Sequence, residues 1–474
     1  MIFLQYTGHP FVDVGIAVLE SYLKKYCTEF TEQDLSKAAE WLKDVYKRKD
    51  FKGYLTIHFP NSGWCNANIK EDTKAEYIKK VLKSYGDPPL SSKRSCAFCN
   101  NLAQFLADRQ HIPLLTGTTV LVTAPNGVAG LPVCGYCLMA IQFYPLGTIK
   151  VNGRPLFWWT TDTDMTFELI NNTVQEVRKS LATSQEKVVN FKWPFTRLLS
   201  QAREILDVYD AKSLQAKKET PLPDCIGYHV TNYGSEPDYD QYLIPRELLQ
   251  FWRHVRVAAK DVREAHHYVE TSSWIIPKPK KKGAKSQGTS GVDSEGIGFL
   301  RNSYYEALGK AFQERNWQTI IGRRIIGFFL HTKEENYHWN NYQLCELFLG
   351  KVGGMEKQRL DIVKKIADDI VDHLILGNNE PKWLDNLYNR EIKPNEFMRY
   401  LVKVQRKLAV LGQPINLDDI LTMFDISSSD DPGLKDAYLI RQLFLIRMFE
   451  RIGARNRDLL KSINDEKNEN EEVM

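Results

Sequence analysis

Cys96-Ala97-Phe98-Cys99 and Cys134-Gly135-Tyr136-Cys137 are two C-x-x-C turns with 34 residues between their inner cysteines. Each turn places two thiols on one side of a tight knuckle. Two knuckles brought together complete a tetrahedral four-thiolate site, with Zn–S near ~2.3 Å. Four thiolates close the coordination sphere and leave no position for water, so the expected zinc is structural: it clips two distant segments of chain. The gap is longer than a compact zinc ribbon needs, so strands must fill it. Two redox pairs, or four unligated core thiols, are the competing readings. Cys27, Cys65, Cys225 and Cys345 have no such partners and read as small hydrophobes.

Between the knuckles the composition is unusual. Gln110 to Ile149 contains no Asp, Glu, Lys or Arg. Pro113, Pro125, Pro132, Pro145 and five glycines interrupt it, so no membrane-spanning run of roughly 20 apolar residues exists. Buried strands and turns around the knuckle are expected. Outward from there, strands are expected at Ile2–Tyr6, Gly53–Phe59, Val120–Thr123, Leu156–Thr161 and Cys225–Thr231. Helices are expected around 75–85, 165–182, 195–209 and 245–257. Thr31 and Asp34 should cap a helix carrying Leu35, Ala39, Leu42 and Tyr46. Towards the C-terminus, Leu360, Val363, Ile366, Ile370 and Leu374 recur at helical spacing before Gly377. Phe397, Leu401, Val404, Leu408 and Leu411 do so before Gly412, and Ile440, Phe444 and Met448 give a third face.

The expected class is therefore α+β. A mixed α/β N-terminal region (1–90) carries a four-cysteine, zinc-finger-like insertion (91–165). The rest of the large N-terminal domain (166–345) includes a lysine-rich loop (277–297). An all-α helical bundle (355–464) and an acidic tail (465–474) follow. The 474 residues are 43% hydrophobic and 26% charged, a soluble globular profile. The formal charge is only +4, but residues 1–354 sum to +7 and residues 355–474 to −3. No signal peptide is recognised at Met1, and a cytoplasmic location is expected.

Enzyme signatures are missing. There is no phosphate-binding G-x-x-x-x-G-K-[ST] loop, H-E-x-x-H helix or G-x-S-x-G elbow. A zinc deaminase needs P-C-x-x-C with an upstream H-x-E; Val133 intervenes here, and neither His58 nor His111 has the glutamate. Asp162 and Asp164 read as a helix cap, His338 with Asn340 and Asn341 as a helix start, and His266-His267 as solvated histidines. No catalytic residue is expected. Candidate nucleic-acid contacts are Asn61, Ser62, Asn66 and Asn68, in an uncharged loop with Trp64. Lys278, Lys280, Lys281, Lys282 and Lys285 suit phosphates, as do the adjacent Arg323 and Arg324.

The opening Tyr6-Thr7-Gly8-His9-Pro10-Phe11-Val12-Asp13-Val14-Gly15, the two cysteine pairs and the helical C-terminal third together resemble one family. It is the large subunit of type I-B CRISPR surveillance complexes (Cascade), the CXXC–CXXC family. His9 stands where an acid or amide is more usual. The resemblance implies a non-catalytic, prokaryotic antiviral-defence protein in a ribonucleoprotein complex. Its implied partners are guide RNA, target double-stranded DNA, and the backbone, 5′-handle-binding and small subunits. The implied work is to sit at the guide's 5′ handle, read the motif flanking the target (PAM) and promote strand opening. It would then recruit a helicase-nuclease or transposition proteins. The resemblance further implies a C-terminal domain like the small subunit, with Met355 as a candidate internal start. A free-standing zinc-containing DNA-binding regulator is the alternative.

Overall fold

The structure, a computed structural model, describes residues 4–115, 130–182, 189–215, 221–232, 238–276, 300–388, 393–424 and 436–460. The chain divides into two compact units. One is Met1–Arg246 with Ile275–Arg301; the other is Glu247–Trp274 with Asn302–Met474. The first is mixed α/β around the cysteine cluster, and the described residues of the second are almost wholly helical. The α+β class holds.

In the first unit, α1 (Pro10–Leu23) is the central helix and is buried along most of its length. Proline at its first position costs nothing there, because that N–H has no helical partner. Gly15 lets α1 touch α5 (Gly135–Phe143): a Cβ at Gly15 would lie 1.9 Å from the Ala140 carbonyl oxygen. Helix α2 (Glu32–Tyr46) carries the expected cap, with Thr31 and Asp34 each accepting from the other's backbone N–H.

Residues Gly53–Phe59 are not a strand. Residues 53–58 belong to α3 (Lys49–His58), and Phe59 is its C-cap. Phe51, Tyr54, Leu55 and His58 recur at helical spacing and all are buried, so the periodicity overrides the β-favouring composition. Residues 4–6 form no strand either, while Ile2 and Val120–Thr123 lie outside the described residues.

Helix α4 (Glu71–Lys83) leads to the short antiparallel strands β1 (Phe105–Ala107) and β2 (Leu131–Val133). A five-stranded sheet follows: β3 (Ile149–Val151), β4 (Arg154–Thr160), β5 (Asn190–Phe191), β6 (Cys225–Thr231) and β7 (Asp238–Ile244), in the order β5-β3-β4-β6-β7. All neighbours are antiparallel except β3 with β5. Helices α6 (Thr163–Ala182) and α7 (Pro194–Gln215) accompany the sheet. Gly227 on β6 admits Leu198 of α7, and Trp158 donates to Gln201 at 3.2 Å. Asp162 caps α6, accepting from the Met165 N–H at 2.8 Å.

His58 is fully buried and bonded to the Tyr144 hydroxyl. Burial disfavours the imidazolium and lowers its pKa from 6.5 to about 3. The unfolded chain therefore binds a proton that the fold refuses between those values, and stability falls as pH drops below about 6.5. One such group contributes about 1.4 kcal/mol per pH unit in that window. Urea melts of the wild type and of His58→Gln should diverge in slope between neutrality and pH 5; parallel pH dependences would refute the assignment.

The second unit contains α8 (Arg246–Val257), α9 (Lys260–Ser272), α10 (Ser303–Phe312), α11 (Trp317–Ile325), α12 (Tyr342–Lys351) and α13 (Lys357–Asp369). A π-helical turn, Ile370–Leu376, extends α13. Helices α14 (Lys382–Tyr388), α15 (Pro394–Val410), α16 (Leu417–Phe424) and α17 (Ala437–Arg455) complete it. The apolar positions expected at helical spacing in α13, α15 and α17 are buried, except Leu411, which lies just past the end of α15 and is exposed. His266 departs from its expected solvated state: it is buried, with Nδ1 3.4 Å from Glu270. His267 is exposed. Asn341 starts α12 as expected, accepting from the Leu344 N–H.

This helical core draws on more chain than 355–474. Phe449 of α17 stacks on Tyr337, Asp436 pairs with Arg323, and the Tyr342 hydroxyl donates to the Leu360 carbonyl. Met355 is itself buried. A product starting at Met355 would leave that face of α17 open. Residues 355–474 expressed alone are expected to self-associate or to show reduced helicity. A folded monomer by circular dichroism and size exclusion would contradict this.

Candidate metal centre

Local hydrogen bonds build each knuckle. In the first, the Cys96 N–H donates to the Asn101 carbonyl at 2.6 Å and the Asn100 N–H donates back to the Cys96 carbonyl at 3.1 Å. Asn100 takes φ +63°, a left-handed conformation that asparagine tolerates. In the second, Cys134 is the N-cap of α5, and its sulfur accepts from the Cys137 N–H at 3.4 Å. Both thiols of this knuckle thus lie at a helix N-terminus, where the backbone favours negative charge.

The knuckles are then stitched together. The Ala97 N–H donates to the Pro132 carbonyl at 2.9 Å, and the Gln104 N–H to the Val133 carbonyl at 3.1 Å. The Gln104 side chain accepts from the Gly135 N–H. Gly135 has no room for a side chain, since a Cβ would sit 2.0 Å from the Tyr85 nitrogen.

The result is one cluster. The four sulfurs of Cys96, Cys99, Cys134 and Cys137 lie within 4.8 Å of one another, with Cys99 and Cys134 at 3.5 Å. A tetrahedron of Zn–S bonds has edges of about 3.8 Å, so the spacing suits one cation held by four sulfurs. Cys96, Cys134 and Cys137 are buried and Cys99 is half-buried. Four packed thiols cannot all ionise alone. Hydrogen bonds from Cys134 and Cys137 draw Cys99 down to about 7, and those from Cys134, Cys137 and Cys99 draw Cys96 lower still. Hydrogen bonding to Cys134, Cys96 and Cys99 pushes Cys137 up, with burial adding to it. A bound divalent cation would supply the missing charge. The set offers a structural clip and no open coordination position.

No family model, curated protein or solved structure matches this chain.

The opening motif packs beside this cluster. The His9 ring lies 4.5 Å from that of Phe98, inside the first knuckle. Asp13 organises the turn before α1: it accepts from the Thr7 N–H at 2.7 Å, the Gly8 N–H at 3.0 Å and Trp159 Nε1 at 3.0 Å. Tyr6 donates to Glu20 at 2.7 Å.

The other candidate residues scatter. In the 61–68 loop, Asn61 and Asn68 are exposed and Asn66 is half-buried, but Ser62 is buried. Trp64 is also buried, donating to Gln142 at 2.9 Å, so this ring anchors the loop rather than projecting from it. Arg324 pairs with Glu314 at 2.8 Å, as Arg323 does with Asp436 at 3.2 Å. Lys278, Lys280, Lys281, Lys282 and Lys285 lie outside the described residues. Cys27, Cys225 and Cys345 are buried and Cys65 is half-buried; none of them belongs to the cluster. Among the described residues no helix is long and apolar enough to cross a membrane.

Sequence reasoning missed Asp13. Its signal was an acid among apolar residues of a helix, three positions after Pro10, where it can turn back on its own N-terminus.

Proposed function

We propose that this chain is the non-catalytic large subunit of an RNA-guided CRISPR surveillance complex, and that Zn²⁺ fills its four-thiolate site as a structural ion. One observation carries the reading. The two signatures behind the family resemblance, the opening motif and the cysteine pairs, lie in different parts of the sequence yet pack against each other through His9 and Phe98. A metal bound there would hold the opening motif rigid. The closed cysteine set also argues for structure over catalysis.

In this reading guide pairing supplies most of the sequence specificity. The large subunit contacts the 5′ handle, the short flanking motif and nearby backbones, promotes strand opening and recruits the effector. The setting is the prokaryotic cytoplasm. The lysines of 277–297 and loop residues such as Asn61 and Asn68 are its candidate contacts.

Mass spectrometry of tagged chain purified from its native host tests the assembly. The expected result is a large particle that contains further subunits and RNA. Elution of the chain alone as a dimer would favour the regulator instead.

A further inference from the structure

The five-stranded sheet has two unlike faces. One packs on α7 through Trp158, Gly227 and Tyr242, the last with its ring 4.9 Å from Phe195. On the other, Phe157 is sealed beneath Phe11 and Tyr144. Beyond Phe157 this second face opens. Tyr228 on β6 stacks on Phe157 at 5.5 Å and meets Trp159 of β4 edge-on at 6.5 Å. Register places Tyr228 opposite Gln241 on β7, and Tyr239 is its diagonal neighbour. Tyr239 is 55% exposed and Leu243, on the same face, 37%. Trp159, Tyr228 and Tyr239 thus lie on one face of three adjacent strands, each at least partly exposed.

Charge on β7 is sorted between the faces. Asp238 and Asp240 alternate with Tyr239 and Gln241, so their carboxylates turn to the opposite side. There Arg154 holds both, at 3.3 and 3.5 Å. Strands β4, β6 and β7 themselves turn no carboxylate to the ring-bearing face; Asp13 of α1, which meets it at the Trp159 indole, is buried and hydrogen-bonded, and Gln241 adds an uncharged amide able to meet a base edge.

We infer that this face is a stacking platform for unpaired nucleic-acid bases, with Tyr239 and Tyr228 as the base-contacting rings and Trp159 at the margin. Aromatic rings on a sheet face stack splayed bases whatever their identity, and each such contact is sensitive to alanine substitution. Rings and an amide on strands whose own carboxylates turn to the other face match a single strand better than a duplex, whose bases are not available to stack. This goes beyond the surveillance-complex reading and does not depend on it, since the isolated full chain should bind a short strand without guide or partner subunits.

The test is fluorescence anisotropy of the full-length chain with short labelled oligo(dT), oligo(U) and a duplex control. Single strands should bind more tightly than the duplex. Tyr239→Ala should weaken them about 10- to 100-fold, while Tyr239→Phe, which keeps the ring, stays near wild type. Oligo(dT) against oligo(U) tells whether the strand is DNA or RNA. Circular dichroism confirms folding, which the exposure of Tyr239 favours. Unchanged binding by Tyr239→Ala, equal loss in Tyr239→Phe, or no single-strand binding by the wild type would overturn the inference. So would a dimer that Tyr239→Ala dissociates, because the face would then belong to a second copy.

Discussion

Cys96→Ser or Cys134→Ser should yield protein that is insoluble or melts far below the wild type, with its bound metal lost. The two knuckles hold β1 and β2 together, cap α5 and fix Phe98 against His9. Short strands of three residues supply little stability themselves. A structural zinc site contributes on the order of 10–16 kcal/mol of binding free energy in small fingers, comparable to the whole stability of a typical domain. A strong chelator applied during mild heating should reproduce the defect in the wild type. Cys65→Ser, outside the cluster, should keep both metal and melting temperature. Elemental analysis with thermal melts decides. Stoichiometric metal in the Cys96→Ser, Cys134→Ser double variant would refute the assignment.

The second large effect is expected at Asp13. Its buried carboxylate satisfies two backbone N–H groups, the Thr7 hydroxyl at 3.1 Å and the Trp159 indole. Burial raises its pKa, against the pull of the hydrogen bonds from Trp159 and Thr7. Asp13→Ala would orphan these donors together. Each unsatisfied buried donor costs about 1–3 kcal/mol, and partial access to water reduces the sum, so a loss of about 3–4 kcal/mol is expected. Asp13→Asn keeps an acceptor but turns an N–H towards other donors, so it should fall between. Chemical denaturation followed by tryptophan fluorescence reads this as a shift of the unfolding midpoint. A wild-type midpoint for Asp13→Ala would contradict the role given to the opening turn.

Local pattern made part of this legible. The cysteine spacing marked the cluster because C-x-x-C fixes a knuckle without knowledge of the rest. Cys225–Thr231 was readable as a strand, and α13, α15 and α17 by their apolar spacing, with Gly412 at φ +76° ending α15. Helix α3 was misread because its aromatic content outweighed, in the reading, the 51-54-55-58 spacing that decided its structure. Long-range pairing left no local trace. Arg447 grips Asp368 with two bonds of 2.7 and 2.8 Å, and Arg451 and Arg455 both reach Asp372. Steps of four residues on α17 answer a step of four across α13 and its π turn, but only the packed helices reveal the match. The burial of Trp64 likewise depends on Gln142, 78 residues further along the chain.

The most direct test of the proposed role is the RNA bound to the protein. Tagged chain should be pulled from its native host at moderate salt and its nucleic acid sequenced. The surveillance-complex account predicts short RNAs that share one constant 5′ handle and vary beyond it. Discrete genomic DNA with no such RNA would contradict it.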